Sequence, residues 1–228
     1  MNILALETST QQCTVALLTN SGILERSQMA ERAHAEMILP MVEILLTEAG
    51  LSLNQLDALA FGRGPGGFTG VRVATAVVQG LAFGAQLPVV PVSDLMALAA
   101  GAYRVYGAKK ILACMDARMG QVYWCVYTVE AADDLTACLS ETLSAPHSVQ
   151  LPDTEEWFRA GSGFNAYKDV LEAHLGSALH GQDAALLPVA QDIAVLARLF
   201  LTRGQAVSAE AALPVYLRDQ VAWPKSGL

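Results

Sequence analysis

A chain of 228 residues, 53% hydrophobic and only 16% charged, can bury a large core and still have apolar surface left to cover a partner. Its net charge of −8, with a pI of about 4.9, argues against this chain carrying most of a nucleic-acid contact, which rests on Lys and Arg at phosphates. The cysteines at positions 13, 114, 125 and 138 lack Cys-x-x-Cys spacing, which speaks against zinc or dithiol redox chemistry and suits buried thiols in a reducing compartment.

The start, MNILALETS, has no basic region, and Glu7 interrupts it too early for a signal peptide. No run of about eighteen uncharged apolar residues occurs, so the expectation is a cytoplasmic protein. Residues 2–7 read as a buried strand, apolar on both faces. The polar turn TSTQQ, a second strand over 13–18, the turn Asn20-Ser21-Gly22 and a third strand over 23–29 complete an antiparallel meander. A helix follows over 35–49, ended by Gly50, with Pro40 expected to bend it or mark its start. Its apolar residues, Met37, Ile38, Met41, Val42, Ile44, Leu45 and Leu46, cover more than one stripe. Ser52 and Gln55 fit a capping box, and 58–61 reads as a strand.

The stretch GRGPGGFTGVR then leads into a helix over 69–85, a short strand over 88–92, and a helix capped by Ser93-Asp94 that runs to about 106. The order βββαβαβα then begins again, because ILALETSTQQCTVALLT from Ile3 parallels ILACMDARMGQVYWCVYT from Ile111. The expected lobes are residues 1–106 and 107–228. Further on, 139–151 reads as strand with loops and 157–160 as a strand. Helices are expected from 163 to about 174 and over 192–203, then an extended stretch over 212–221 and a loose tail, WPKSGL.

The glycine loop fails as a phosphate loop of the G-x-x-x-x-G-K-[ST] type, since it has no Lys, and it fails G-x-G-x-x-G. Free amides at its Thr69 end can hold an anion, but a turn that caps the helix is the better reading. That helix is apolar all round, which requires burial on every side. Ala76, Gly80 and Gly84 form a small-residue stripe at four-residue spacing. Interior glycine costs a helix about 1 kcal/mol, so close approach of another backbone is the compensation. Burial within one chain and packing against a second chain both fit; the wide apolar face of the preceding helix favours the second.

His34 is followed four residues later by Ile38, so no H-E-x-x-H metal pair exists, and His147, His174 and His180 are scattered. The turn 7–10 can hold phosphate or serve as an ordinary hairpin turn. Asp116-Ala117-Arg118 reads as a functional turn or as a self-paired ion pair. No Ser-His-Asp or Cys-His constellation is present.

Taken together, ILALETSTQQCTVAL, GPGGFTGVR, DARMGQVYW and PVYLRDQVAW, in this order along the whole chain, resemble the TsaB (YeaZ) family. The resemblance implies the duplicated actin/Hsp70/sugar-kinase fold, with a degenerate second lobe. It implies a non-catalytic subunit for threonylcarbamoyl-adenosine modification of tRNA beside the anticodon, in tRNAs reading codons that begin with A. The implied partners are a catalytic paralogue, TsaD, and an ATPase, TsaE, with a homodimer forming alone and tRNA touched only indirectly. No tightly bound cofactor is expected, ATP or ADP only at the complex interface, and no metal. The expected interface is Met37, Met41, Leu45, Phe68, Thr69, Val73, Ala76, Val77, Gly80 and Gly84; Thr8, Ser9, Asp116 and Arg118 would be remnants of a nucleotide cleft. The alternative is a free-standing small-molecule kinase of the same fold, and a direct RNA-binding module is disfavoured by charge.

Overall fold

The computed structural model describes residues 1–30 and 33–218. Its first half runs β1 (Ile3–Glu7), β2 (Gln12–Thr19), β3 (Gly22–Met29), α1 (His34–Ala49), β4 (Ala58–Gly62), α2 (Phe68–Ala85), β5 (Val89–Val92) and α3 (Asp94–Tyr106). The second half runs β6 (Lys110–Asp116), β7 (Val122–Ala131), β8 (Asp134–Ala137), β9 (Thr142–Ser144), β10 (Trp157–Ala160), α4 (Gly163–Ala166), α5 (Lys168–Leu175), β11 (Leu179–Asp183) and α6 (Ala190–Thr202).

Two sheets result, and they share one plan. The first has the order β3-β2-β1-β4-β5, antiparallel through the meander and parallel from β1 to β5. The second has the order β11-β10-β6-β7-β8, with β9 also on β7, again antiparallel on one side of β6 and parallel on the other. The repeated stretches from Ile3 and Ile111 thus form the central strand pair of each sheet. This is the duplicated actin/Hsp70/sugar-kinase-like arrangement. The second copy is degenerate: a short 3-10 turn follows β9 where α1 follows β3, and the short α4–α5 pair stands in place of α2.

Strand alternation explains the layers. Leu4 and Leu6 face outward, where Ile38, Met41, Val42 and Leu45 of α1 and Ala74, Val78 and Ala82 of α2 cover them. Ile3 and Ala5 face inward, into a core shared with Ile111, Ala113 and Tyr127 of the second sheet and with the helices α3 and α6. The inner helices are interleaved: α6 lies on the first sheet and α3 on the second. By length and composition α2 could cross a membrane, but Val71, Ala74, Thr75, Val78 and Ala82 pack inside the lobe.

The expected caps are present. The Ser52 amide donates to Gln55 Oε1 at 2.8 Å, and Ser93 Oγ accepts from the Met96 amide at 3.2 Å. Gly50 adopts φ 64°, which ends α1, and Pro40 sits inside that helix rather than at its start. The expected strand within 139–151 shrinks to three residues, because Pro146 starts a 3-10 turn. β8 and β11 carry few apolar residues and were not expected. Residues 212–218 form no regular strand; 219–221 and the WPKSGL end lie outside the described residues.

Candidate functional site

Two regions gather the sequence candidates. The first is the junction of β1, the glycine loop and α3. The Thr8 hydroxyl donates to the Gly70 carbonyl at 2.7 Å, and the Gly67 amide donates to the Ser9 carbonyl at 2.7 Å. A side chain on Gly70 would collide with the Thr8 carbonyl, and one on Gly66 with Ser9. The glycines are needed because the loop lies flat on the 8–9 turn. Two groups that a phosphate cradle leaves free, the Thr8 hydroxyl and the Gly67 amide, are therefore used within the chain. Thr8 and Ser9 are both buried.

Beneath the loop, Glu7 and Asp94 are fully buried side by side. Burial raises the Glu7 pKa against the hydrogen bonds that lower it; burial, and then the charge of Glu7, push Asp94 up further. Arg63, on the loop, reaches across to Glu141 at 3.3 Å, and the buried Tyr127 hydroxyl donates to the same carboxylate at 3.4 Å. His34 Nε2 lies 2.9 Å from the Thr10 carbonyl and so anchors the start of α1 to the same turn.

Asp116 and Arg118 do not join this junction. Both are exposed. Asp116 Oδ1 accepts from the Arg118 amide at 2.7 Å and from the Tyr167 hydroxyl at 3.0 Å. The turn is thus closed by a backbone bond, and among the described residues no Asp116–Arg118 ion pair forms. The segment 215–218 bridges the glycine loop and the Asp116–Arg118 turn: the Val215 amide donates to the Arg63 carbonyl at 2.8 Å, and Arg218 donates to the Ala117 carbonyl at 3.0 Å.

The second region is the outer face of α1 and α2. Phe68, Thr69, Ala76, Gly80 and Gly84 are exposed, and Met37, Val73 and Val77 are half-buried. Around Gly80 and Gly84 no atom comes within 4 Å of where a Cβ would sit, so the small-residue stripe opens to solvent. Met41 and Leu45 do not lie on this face. They point into the core beneath α1, and the exposed apolar residues of that helix are Leu39 and Ile44. Phe83, at 72% exposure, was also missed as a face residue. At the start of α2 the Arg72 guanidinium lies 3.6 Å from the Phe68 ring centre, and its Nε donates to the Tyr216 hydroxyl at 2.8 Å. The PVYLRDQ motif was the available signal for Tyr216.

The remaining candidates are dispersed. Burial pushes the Cys13 and Cys125 thiols up to about 11 and Cys114 higher still. Among the described residues no group of three or more His, Cys, Asp or Glu is placed to hold a metal ion. A shallow cavity of about 490 Å³, lined by Tyr106, Lys109, Phe158 and His180 among others, contains none of the expected site residues.

A family model described as TsaD, tRNA N6-adenosine threonylcarbamoyltransferase, matches residues 19–226. The chain is 42% identical over 230 residues to the tRNA threonylcarbamoyladenosine biosynthesis protein TsaB of Escherichia coli (strain K12), covering 99% of this chain and 98% of that protein. It is 40% identical to the TsaB protein of Haemophilus influenzae, covering 99% and 97%. The solved structure of YeaZ from Pseudomonas aeruginosa is similar with a TM-score of 0.89 and 47% identity, covering 95% of this chain and 99% of that one.

Proposed function

Because this chain belongs to the TsaB (YeaZ) family of tRNA threonylcarbamoyladenosine biosynthesis proteins, we propose that it is the non-catalytic subunit of that modification. It docks a TsaD-type transferase through the outer face of α1 and α2. The observation that carries this reading is the open small-residue stripe of α2, Ala76, Gly80 and Gly84, with the exposed Phe83 on the same helix. A facing helix backbone can approach closely there, and burying such a stripe compensates the cost of glycine inside a helix.

In this reading the pair of paralogues is pseudo-symmetric, and the same face pairs two copies of this chain when the transferase is absent. The docked pair forms the seat for the TsaE ATPase. Any ATP or ADP lodges at the complex interface, and the tRNA contact comes from the more basic partners in the cytoplasm. The closed glycine loop, with Gly67 and Thr8 engaged internally, supports a supporting rather than a catalytic role.

Reconstitution tests it. Modification of tRNA assayed with TsaD, TsaE and the enzyme that supplies the threonylcarbamoyl donor is expected to need this chain. Full activity without it overturns the reading. Tight ATP–magnesium binding and phosphoryl transfer by this chain alone would favour a small-molecule kinase.

A further inference from the structure

The end of β1 and the start of α3 bring two carboxylates together inside the first lobe. Glu7 and Asp94 are both 0% exposed, and a side chain on Gly62 would collide with one oxygen of each. Glu7 Oε1 accepts from the Ser9 amide. Among the described residues the other three oxygens, Glu7 Oε2 and both of Asp94, have no well-formed hydrogen bond, with the Ser9 hydroxyl, 4% exposed, facing Glu7 and the Gly64 backbone facing Asp94.

Among the described residues, no surrounding charged or titratable group outside the pair bonds to either carboxylate. His34 of α1 and Cys13 of β2 face Glu7, but the His34 Nε2 contact goes to the Thr10 carbonyl. Arg63 faces Asp94, but its Nη2 is held by Glu141. Tyr127 of β7 lies beside Ser93 and directs its hydroxyl to Glu141. Two ionised carboxylates in contact at zero exposure, with no cation bonded to them among the described residues, are not a tolerable arrangement in a folded interior.

We infer that this chain holds one proton between Glu7 and Asp94, carried by Asp94 as a carboxylic acid that donates to Glu7. Glu7 is the better place for the remaining charge because it also receives the Ser9 amide. The direction of both pKa shifts agrees. The proton then ties β1 to α3 across Gly62. The Asp94 amide also donates to the Gly64 carbonyl at 3.1 Å, so the same residue fixes where the glycine loop leaves β4 and α2 begins.

The sign follows from linkage. A carboxyl whose folded pKa is raised contributes stability below the unfolded carboxylate range, and that contribution is lost as pH rises through the folded value. One retained proton is worth about tenfold in the folding constant per pH unit in that window. The test compares the full chain with Asp94→Asn, whose amide donates to Glu7 without a titrating proton. As pH rises above about 4, the native chain should lose up to about tenfold per pH unit relative to the variant. Carboxyl ¹³C shifts of the native chain should show one of the two groups still protonated at neutral pH. Parallel pH profiles, or a spectrum with both groups ionised at neutral pH, overturn the inference. So does stabilisation by added magnesium or potassium that the variant lacks, since a cation would then fill the place of the proton. If Asp94→Asn does not fold, the native spectrum alone decides.

Discussion

Thr8 and Gly70 are locked together: the Thr8 hydroxyl donates to the Gly70 carbonyl at 2.7 Å, and the Thr8 carbonyl lies where a Gly70 side chain would begin. The backbones of the first turn and of α2 touch, so the glycine loop is set by close approach. Gly70→Ala should cost about 3 kcal/mol, because the nearest atom is backbone and cannot rotate away. A fall in Tm of roughly 6–12 °C is expected for a chain of this size. An unchanged Tm would mean that the two backbones do not meet.

The α1–α2 face can be tested without touching the core. Ala76 is exposed, so Ala76→Glu should leave stability within about 0.5 kcal/mol of the native value. On a partner face the same change places a carboxylate in an apolar contact and should abolish pairing with TsaD or with a second copy. Sedimentation of the variant beside the native chain measures this. Val77 is a poorer probe because it is half-buried against the core beneath α2.

Arg104 and Asp192 form an ion pair in which Arg104 Nε lies 2.7 Å from a carboxylate that is 3% exposed. Burial raises the Asp192 pKa, and Arg104 opposes that rise. Arg104→Ala leaves the carboxylate buried and alone, at a cost of about 3–5 kcal/mol. The raised folded pKa means the loss is smallest below about pH 4, where the unfolded carboxyl is also protonated, and grows as pH rises. Asp192→Asn in the Arg104→Ala background should recover much of it. Denaturant titrations at two pH values check both statements.

The cysteines give a simple readout of packing. Cys13, Cys114 and Cys125 are buried and Cys138 is half-buried. Since the thiolate is the reacting form, thiols pushed to about 11 are nearly inert at neutral pH. Maleimide followed by mass spectrometry should add one label to the native chain, at Cys138, and four after unfolding.

Much of this architecture was legible in the residues. The short apolar run of β1, buried on both faces, the turn at Asn20-Ser21-Gly22 and the caps at Ser52 and Ser93 are local signals, and each formed as read. The repeat from Ile3 and Ile111 reported the two-sheet plan. The orientation of α1 was not legible, because apolar residues ring it and only the sheet decides that Met41 and Leu45 go in while Leu39 and Ile44 stay out. β11, LHGQD, lacks an apolar pattern because it is an edge strand whose residues are mostly exposed. The Glu7–Asp94 contact joins residues far apart in the chain, which no local pattern reports.

The interleaving of α3 and α6 has a consequence for biosynthesis. The amide of Ala190, at the start of α6, donates to the Thr14 hydroxyl at 2.8 Å on β2. The inner side of the earliest sheet therefore stays uncovered until the last helix has left the ribosome. At about 5–20 residues per second, β1 and β2 wait on the order of ten seconds or more for that cover. During that interval the nascent chain shows Ile3, Ala5 and Ala16 to solvent.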